Sequence, residues 1–332
     1  MITVLLPARD EAATLDDALT DLRRQTLADL EILVIDDHSA DDTLAVARRA
    51  AAADERVRLL ASPGQGIVAA LNAGLAATRG RYLARMDADD RCAPDRLEKQ
   101  LALLQSDPAL TLVSCLIGPP PGETYAGGYA TYAKWVNSLV DPEAIHRERF
   151  VECPVVHPTL LCPADRLRRL GGWRAGAFPE DYDLLLRLAA AGAKMAKVPE
   201  VLYFWRDRPR RASRIDPRYG PEAFHRLKAE YLAAGPLQGS PEVIVWGAGP
   251  GSRRAVRPLQ ALGVRIRAWI DIDPRKIGHV HGGAPVVAPA ALSSLPRLPL
   301  LVYVGSRGAR DLIRPRLAEF GYREGDNAWF CA

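Results

Sequence analysis

The segment RMDADD, Arg85–Asp90, places three carboxylates, Asp87, Asp89 and Asp90, within four residues, directly behind the apolar run Tyr82-Leu83-Ala84. Two carboxylates about 4 Å apart repel by roughly 4 kcal/mol at an effective dielectric near 20. A positive charge must therefore offset the cluster. Further acids stand behind other apolar runs: Glu11 after the first, Asp36 and Asp37 after the second. Any one of them could cap the helix that follows, and before TLAVARR that suffices for Asp41 or Asp42. Capping does not account for the whole set. A calcium loop with Asp87, Asp89, Asp95 and Glu98 at its first, third, ninth and twelfth positions fails in the middle. There Arg91 replaces an oxygen ligand and Cys92 the glycine that the turn needs. The remaining chemistry is a divalent cation, Mn²⁺ or Mg²⁺, held by Asp87 and Asp89 and itself holding a diphosphate.

Such a site needs strands that end at one edge. TVLLPA, LEILVIDD, VRLLAS and RYLARMD are each apolar nearly throughout, as strands covered on both faces should be. Amphipathic stretches alternate with them. Leu15, Leu19 and Leu22 fall at helical spacing, and PDRLEKQLALLQ opens with Pro94, suited to a first helical turn. This order predicts an α/β fold with a mostly parallel, doubly wound sheet, whose ligands bind at the carboxyl ends of the strands. GPPPGETYAGG, residues 118–128, interrupts the periodicity and predicts loops and short helices. A second break at AAGPLQGSP, residues 233–241, sets a boundary between a first domain, residues 1–235, and a small Rossmann-like α/β domain, residues 236–332.

Composition narrows the class. The 332 residues are 48% hydrophobic and 25% charged with net charge +4, enough for two cores. No basic run is interleaved with aromatics, so nucleic acid is not an expected partner. Five scattered cysteines without a CxxC pair point to a reducing compartment and away from structural zinc. No apolar run approaches the roughly 20 residues of a membrane helix, and the N-terminus lacks a basic leader. A soluble, cytoplasmic protein is expected, with peripheral membrane contact left open.

Four motifs in order, PARDE, VIDDHSADDT, GQGIVAALNAGLAATRGRYLARMDADD and PEDYDLLLRL, resemble the family 2 glycosyltransferases over roughly residues 1–230. The resemblance implies a GT-A fold and an inverting, mostly metal-dependent transfer of a sugar from a nucleotide diphosphate donor, a UDP-sugar in the first instance. The processive synthases of that family carry membrane helices and a QxxRW motif; neither occurs here, so transfer of single sugars to a saccharide or lipid-linked saccharide acceptor is expected. By resemblance, Pro7, Arg9 and Glu11 border the nucleotide, Asp37 accepts from a uracil-type imide, and Gly66 lets the backbone approach ahead of the helix carrying Asn72. Asp87 lies near ribose and metal, and Asp89 binds the metal. Asp181, beside Glu180, matches the base that removes the acceptor's proton, a role that contributes about 10²–10⁴-fold. His157 falls in a segment that lines the acceptor side. Many relatives carry a histidine where Arg208 stands, and arginine cannot ligate a cation. Either the aspartates, phosphates and water hold the metal alone, or Arg206 and Arg208 neutralise the diphosphate.

VIVWGAGPGS followed by AWIDID resembles the first β-α-β of dinucleotide-binding folds, with Gly247, Gly249 and Gly251 in the turn and Asp271 as ribose contact. Ser252 stands where the third glycine of that motif belongs. Two other classes stay open. A sugar-phosphate nucleotidyltransferase would need a glycine-rich basic loop where PARDEAAT stands. A catalytically silent nucleotide-binding adaptor would not need both Asp89 and Asp181.

Overall fold

A computed structural model describes residues 1–208 and 211–332, with only the backbone of 212–213. Contacts divide the chain into two units: residues 1–145, 154–176 and 180–211, and residues 146–153, 177–179 and 212–332.

The first unit begins β1 (Ile2–Ala8), α1 (Leu15–Arg23), β2 (Leu30–Asp36), α2 (Thr43–Ala53), β3 (Val57–Ala61), α3 (Ile67–Ala77) and β4 (Tyr82–Arg85). It continues through β5 (Arg91–Cys92), α4 (Arg96–Ser106), β6 (Leu110–Gly118), α5 (Gly127–Ser138), α6 (Pro142–Glu148), β7 (Leu161–Pro163), α7 (Ala164–Arg169), α8 (Glu180–Ala190) and β8 (Lys194–Phe204). Among the described residues these strands form one sheet in the order β3-β2-β1-β4-β7-β6-β8-β5. The first four are parallel, as the alternating pattern requires. Beyond β4 antiparallel pairs enter and make the sheet mixed: β7 runs antiparallel to both neighbours and β5 antiparallel to β8, while β6 and β8 are parallel. The three residues of β7 are too few to carry a periodicity, so this inversion left no pattern to read.

Both faces are covered, which is why the strands are apolar nearly throughout; β1 is buried from end to end. Helix α3 lies close against β1 and β2 because Gly74 faces them. A Cβ there would stand 2.9 Å from Leu5 Cδ2 and 3.0 Å from Ile35 Cδ1. Strand β4 ends opposite Leu5, while β1 runs on to Ala8 opposite Asp36. The chain after Arg85 therefore turns across the carboxyl edge of the parallel strands.

The second unit contains α9 (Ala212–Ile215), α10 (Pro221–Ala234), β9 (Glu242–Trp246), α11 (Pro250–Ala261), β10 (Arg265–Ile270), β11 (Val280–His281), β12 (Ala284–Val287), β13 (Leu300–Val302), α12 (Ala309–Glu319) and β14 (Ala328–Phe330). Its sheet runs β11-β12-β10-β9-β13-β14, parallel except at β11. Helix α10, on the first-domain side of the boundary expected at 235/236, packs within this unit. Its Lys228, which is buried, donates from Nζ to Val151 O at 2.6 Å and Cys331 O at 3.2 Å.

One fully enclosed cation fixes the site end of the first sheet. Arg96 donates to Arg85 O at 2.6 Å, Pro158 O at 3.2 Å and Gln100 Oε1 at 3.0 Å, and lies over the Tyr203 ring. Arg96→Leu leaves buried acceptors without donors, so urea unfolding should show a loss of about 2–4 kcal/mol. Unchanged stability would contradict this role.

Candidate functional site

The acidic edge is built from three strand ends, those of β1, β2 and β4, and one segment that follows β8. Asp87, Asp89 and Asp90 bring one carboxylate oxygen each within 4.8 Å of one another. The charge that offsets them is in the chain. Arg211, its side chain about one-tenth exposed, directs Nη2 to Asp90 Oδ2 at 3.2 Å, Asp87 Oδ2 at 3.8 Å and Asp89 Oδ1 at 4.0 Å. Its Nη1 donates to Tyr129 Oη at 2.6 Å, and the guanidinium lies 4.6 Å from the Trp205 ring centroid. Arg85 contacts Asp87 at 2.7 Å from below, and Arg208 reaches Glu11 at 2.9 Å and Asp89 at 3.6 Å from the rim.

The three acids differ in role. Asp90 is enclosed, accepting from Tyr203 Oη at 2.9 Å and the Arg206 backbone N–H at 2.7 Å besides Arg211. Burial pushes its carboxyl well up, and Arg211 opposes that shift. Asp89 is pushed up to about 6, first by burial and then by Asp87 and Glu11, against the opposing pull of Arg211 and Arg208. Asp87 donates its backbone N–H to Tyr203 Oη at 3.1 Å. Tyr203 thus bridges the first and last acids of the motif, and Asp87 and Asp89 keep partly exposed carboxylates. Two such carboxylates on a rigid turn are a hard-oxygen donor set that fits a divalent cation.

The residues expected on the nucleotide side lie at the neighbouring strand ends. Pro7 is a buried strand residue, and Glu11 accepts from Thr14 Oγ1 as well as Arg208. Asp10 and His38 adopt left-handed φ of 54° and 60° where the chain leaves β1 and β2, a conformation costly outside glycine and concentrated at functional edges. Asp37 accepts from the Gly66 N–H at 2.9 and 3.0 Å, with Arg9 at 3.9 Å. Gly66 has φ 94°, which explains glycine at the entry to α3.

Asp181 and Glu180 open α8, with Glu180 buried and Asp181 partly exposed. Their position depends on a clamp on the preceding loop. Asn72 of α3 exchanges two hydrogen bonds with the Trp173 backbone, and Arg187 of α8 donates to Leu170 O and Gly172 O while paired with Asp183.

Three of the residues singled out from sequence are engaged within the chain itself. His157 does not face an acceptor. It is buried, its Nε2 accepts from Trp173 Nε1 at 2.8 Å, and burial with Arg85 nearby holds the imidazole well below its usual pKa, hence neutral. Arg206 serves the cluster through its backbone N–H, while its guanidinium lies 3.9 Å from Glu123. In the second unit Gly247 has φ 115° and is pressed against Ser252 and Tyr303, whereas Gly249 and Gly251 face open space. Asp271 accepts from Ala248 N, Asp273 N and Lys276 Nζ at 3.0 Å each, so its carboxylate joins the turn after β9 to its own loop.

Tyr203 and Arg211 complete the site beyond the residues singled out from sequence. Arg211 was legible as one of several arginines in LYFWRDRPRRASR facing an acidic motif in need of charge; nothing in the order of residues distinguished it from Arg206 or Arg208.

A curled mixed sheet with an acidic triplet where its central parallel strand ends defines the GT-A class of glycosyltransferases. The chain belongs to the family 2 glycosyltransferases: the model of glycosyl transferase family 2 matches residues 3–160. The amylovoran biosynthesis glycosyltransferase AmsE of Erwinia amylovora is 30% identical over 202 residues, 60% of this chain and 73% of that one. Chondroitin synthase of Pasteurella multocida is 28% identical over 201 residues, 58% of this chain and 19% of the synthase. Among solved structures, the mannosyltransferase PcManGT of Pyrobaculum calidifontis, in complex with GDP-Man and Mn²⁺, superposes with TM-score 0.53 at 21% identity, covering 79% of this chain and 68% of that one. S. aureus TarS 1-349 with UDP-GlcNAc gives 0.54 at 17% identity, covering 70% and 66%.

Because Asp89 binds its proton more tightly folded than unfolded, its ionisation opposes folding as pH rises from 3.8 toward about 6. Asp89→Asn should therefore raise stability at pH 7 in chelator, by about 1–3 kcal/mol, and remove that part of the pH profile. Thermal unfolding of both proteins across this range is the measurement. Arg211→Gln should do the opposite, lowering stability in chelator by about 3–5 kcal/mol because the enclosed Asp90 loses its cation. Manganese should then raise the melting temperature of that variant more than it raises the wild type's.

Proposed function

We propose that the first unit transfers a single sugar, with inversion, from a nucleoside diphosphate sugar to a hydroxyl of a saccharide or lipid-linked saccharide. The convergence of Asp87 and Asp89 over the fully engaged Asp90 carries this reading. Asp87 and Asp89 would hold a divalent cation, Mn²⁺ or Mg²⁺. Bound there, the cation compensates charge that develops on the departing diphosphate. Arg208 adds a guanidinium on the rim, where bidentate contact with phosphate oxygens suits its geometry.

The remaining steps belong to the chain's own groups. Asp37, Arg9, Glu11 and Pro7 border the nucleotide, and the Asp37 carboxylate would accept the imide N–H of a uracil base. The Asp181 carboxylate takes the acceptor's proton as that oxygen bonds to the anomeric carbon. The bond from that carbon to the diphosphate oxygen breaks, and its electron pair leaves with the diphosphate. Glu180 stands beside the base, and the Asn72–Trp173 and Arg187 clamp fixes its loop. The occurrence of relatives named for amylovoran and chondroitin supports an acceptor in polysaccharide synthesis. Five buried free thiols suit a cytoplasmic setting, and no helix among the described residues is long and apolar enough to cross a membrane.

A panel of nucleotide sugars, with Mn²⁺ or chelator, should yield nucleoside diphosphate only with Mn²⁺ present. Release of pyrophosphate would instead indicate a nucleotidyltransferase, and no turnover with any donor a silent adaptor. Asp181→Asn should keep donor affinity within a few-fold while kcat falls about 10²–10⁴-fold. Full activity in that variant removes Asp181 as the base.

A further inference from the structure

We propose that the C-terminal unit holds a second binding site, for a phosphate-bearing anion, in the cleft between α11 and the β11–β12 hairpin. The cleft has a volume of 620 Å³ and is lined by Arg253, Arg254, Arg257 and Gln260 of α11 with Trp269 and His281.

Topology explains why it exists. The crossover from β9 to β10 is helix α11, but the connection from β10 to the parallel β12 runs through turns and the two-residue β11, with no helix. Right-handed crossovers that proceed in the same direction along a sheet cover the same face. The place beside α11 that a second helix would fill is therefore open. Trp269 is fixed against it, donating from Nε1 to His281 O at 3.2 Å.

Charge indicates what enters. Helix α11, PGSRRAVRPLQA, has three arginines and no acid. Among the described residues Arg253, Arg254 and Arg257 have no carboxylate within ion-pair distance, whereas Arg218, Arg275 and Arg314 of the same unit each do. Arg253 instead meets the His281 ring at 2.9 Å. Arg253 and Arg254 also stand fourth and fifth from the start of the helix, near its positive end, where cations oppose the macrodipole and anions are favoured. Each unfavourable feature reverses sign when a phosphate or pyrophosphate lies in the cleft. Two sources share that chemistry: a soluble diphosphate, and phosphate headgroups of a membrane, which the exposed Val280 at the same cleft would meet first.

The site is independent of the transferase reading and is tested with the full chain in chelator. Hydrogen exchange with inorganic pyrophosphate should slow in residues 250–261 and 280–287. Arg254→Gln and Arg257→Gln, both exposed positions, should each weaken that binding about ten- to hundredfold while sugar transfer, assayed separately with Mn²⁺, is unchanged. Sedimentation with phosphatidylcholine vesicles, with and without phosphatidylglycerol, separates the sources. Arginine-dependent sedimentation without pyrophosphate protection assigns the site to headgroups, and the reverse assigns it to a soluble diphosphate. Absence of both, or binding that both variants retain in full, overturns the proposal and leaves the arginines as a solvated face.

Discussion

A buried guanidinium among three carboxylates sets the terms for the first unit. Asp90 cannot be enclosed and ionised without Arg211, and Arg211 cannot be enclosed without the acids and the Tyr129 hydroxyl it faces. Aromatic rings hold it in place: Trp205 beneath the guanidinium, and Tyr125, whose hydroxyl donates to Gly118 O and Trp205 O. The segment after β8 is thus bound to the acidic turn by charge, and that turn is bound to β8 by Tyr203. Electrostatic need and sheet geometry act on the same few atoms.

The same logic explains why so much buried polar structure lies behind the site. Arg96 ties the end of β4 to the turn before β7, and Gln100 extends this by donating to Val113 O and Thr159 O. Asn72 and Arg187 tie the loop before α8 to α3 and to α8 itself. Each is a side chain reaching backbone carbonyls, which fixes loop positions without lengthening a strand. Catalytic geometry needs its groups held by a packed supporting layer, and here that layer is polar because it must join irregular segments.

What the sequence disclosed follows the length of its signals. Strands β1 to β4 are continuous apolar runs, and their parallel order and the acids at their ends were readable from alternation with helices. The family motifs assigned roles to Asp37, Asp87, Asp89 and Asp181 together. Strand β7, with three residues, carried no period, so the antiparallel switch was hidden. The exchange of the helix at 221–234 into the second unit was hidden as well, because a break in composition marks a linker and says nothing about which core buries Leu227 and Leu232. Contacts between residues over a hundred positions apart, such as Arg211 with Asp90 and Tyr203 with Asp87, have no local pattern. His157 shows the converse: a polar residue in a motif-like stretch that is buried and accepts from an indole N–H.

Arg208 and Arg211 bear differently on cation binding. Arg208 sits on the rim, one-third exposed, and pairs with Glu11, so it can turn toward a phosphate at little cost. Arg211 lies within the cluster itself, and its guanidinium already supplies part of the positive charge that a divalent ion would bring. Any cation at Asp87 and Asp89 therefore meets a site whose repulsion has been partly relieved, and its binding is weaker than three bare carboxylates would give. In exchange, the acidic turn is held in shape by the chain itself, because Asp90 answers to Arg211, the Tyr203 hydroxyl and a backbone N–H. Pre-formed geometry at the expense of cation affinity is the balance this arrangement strikes.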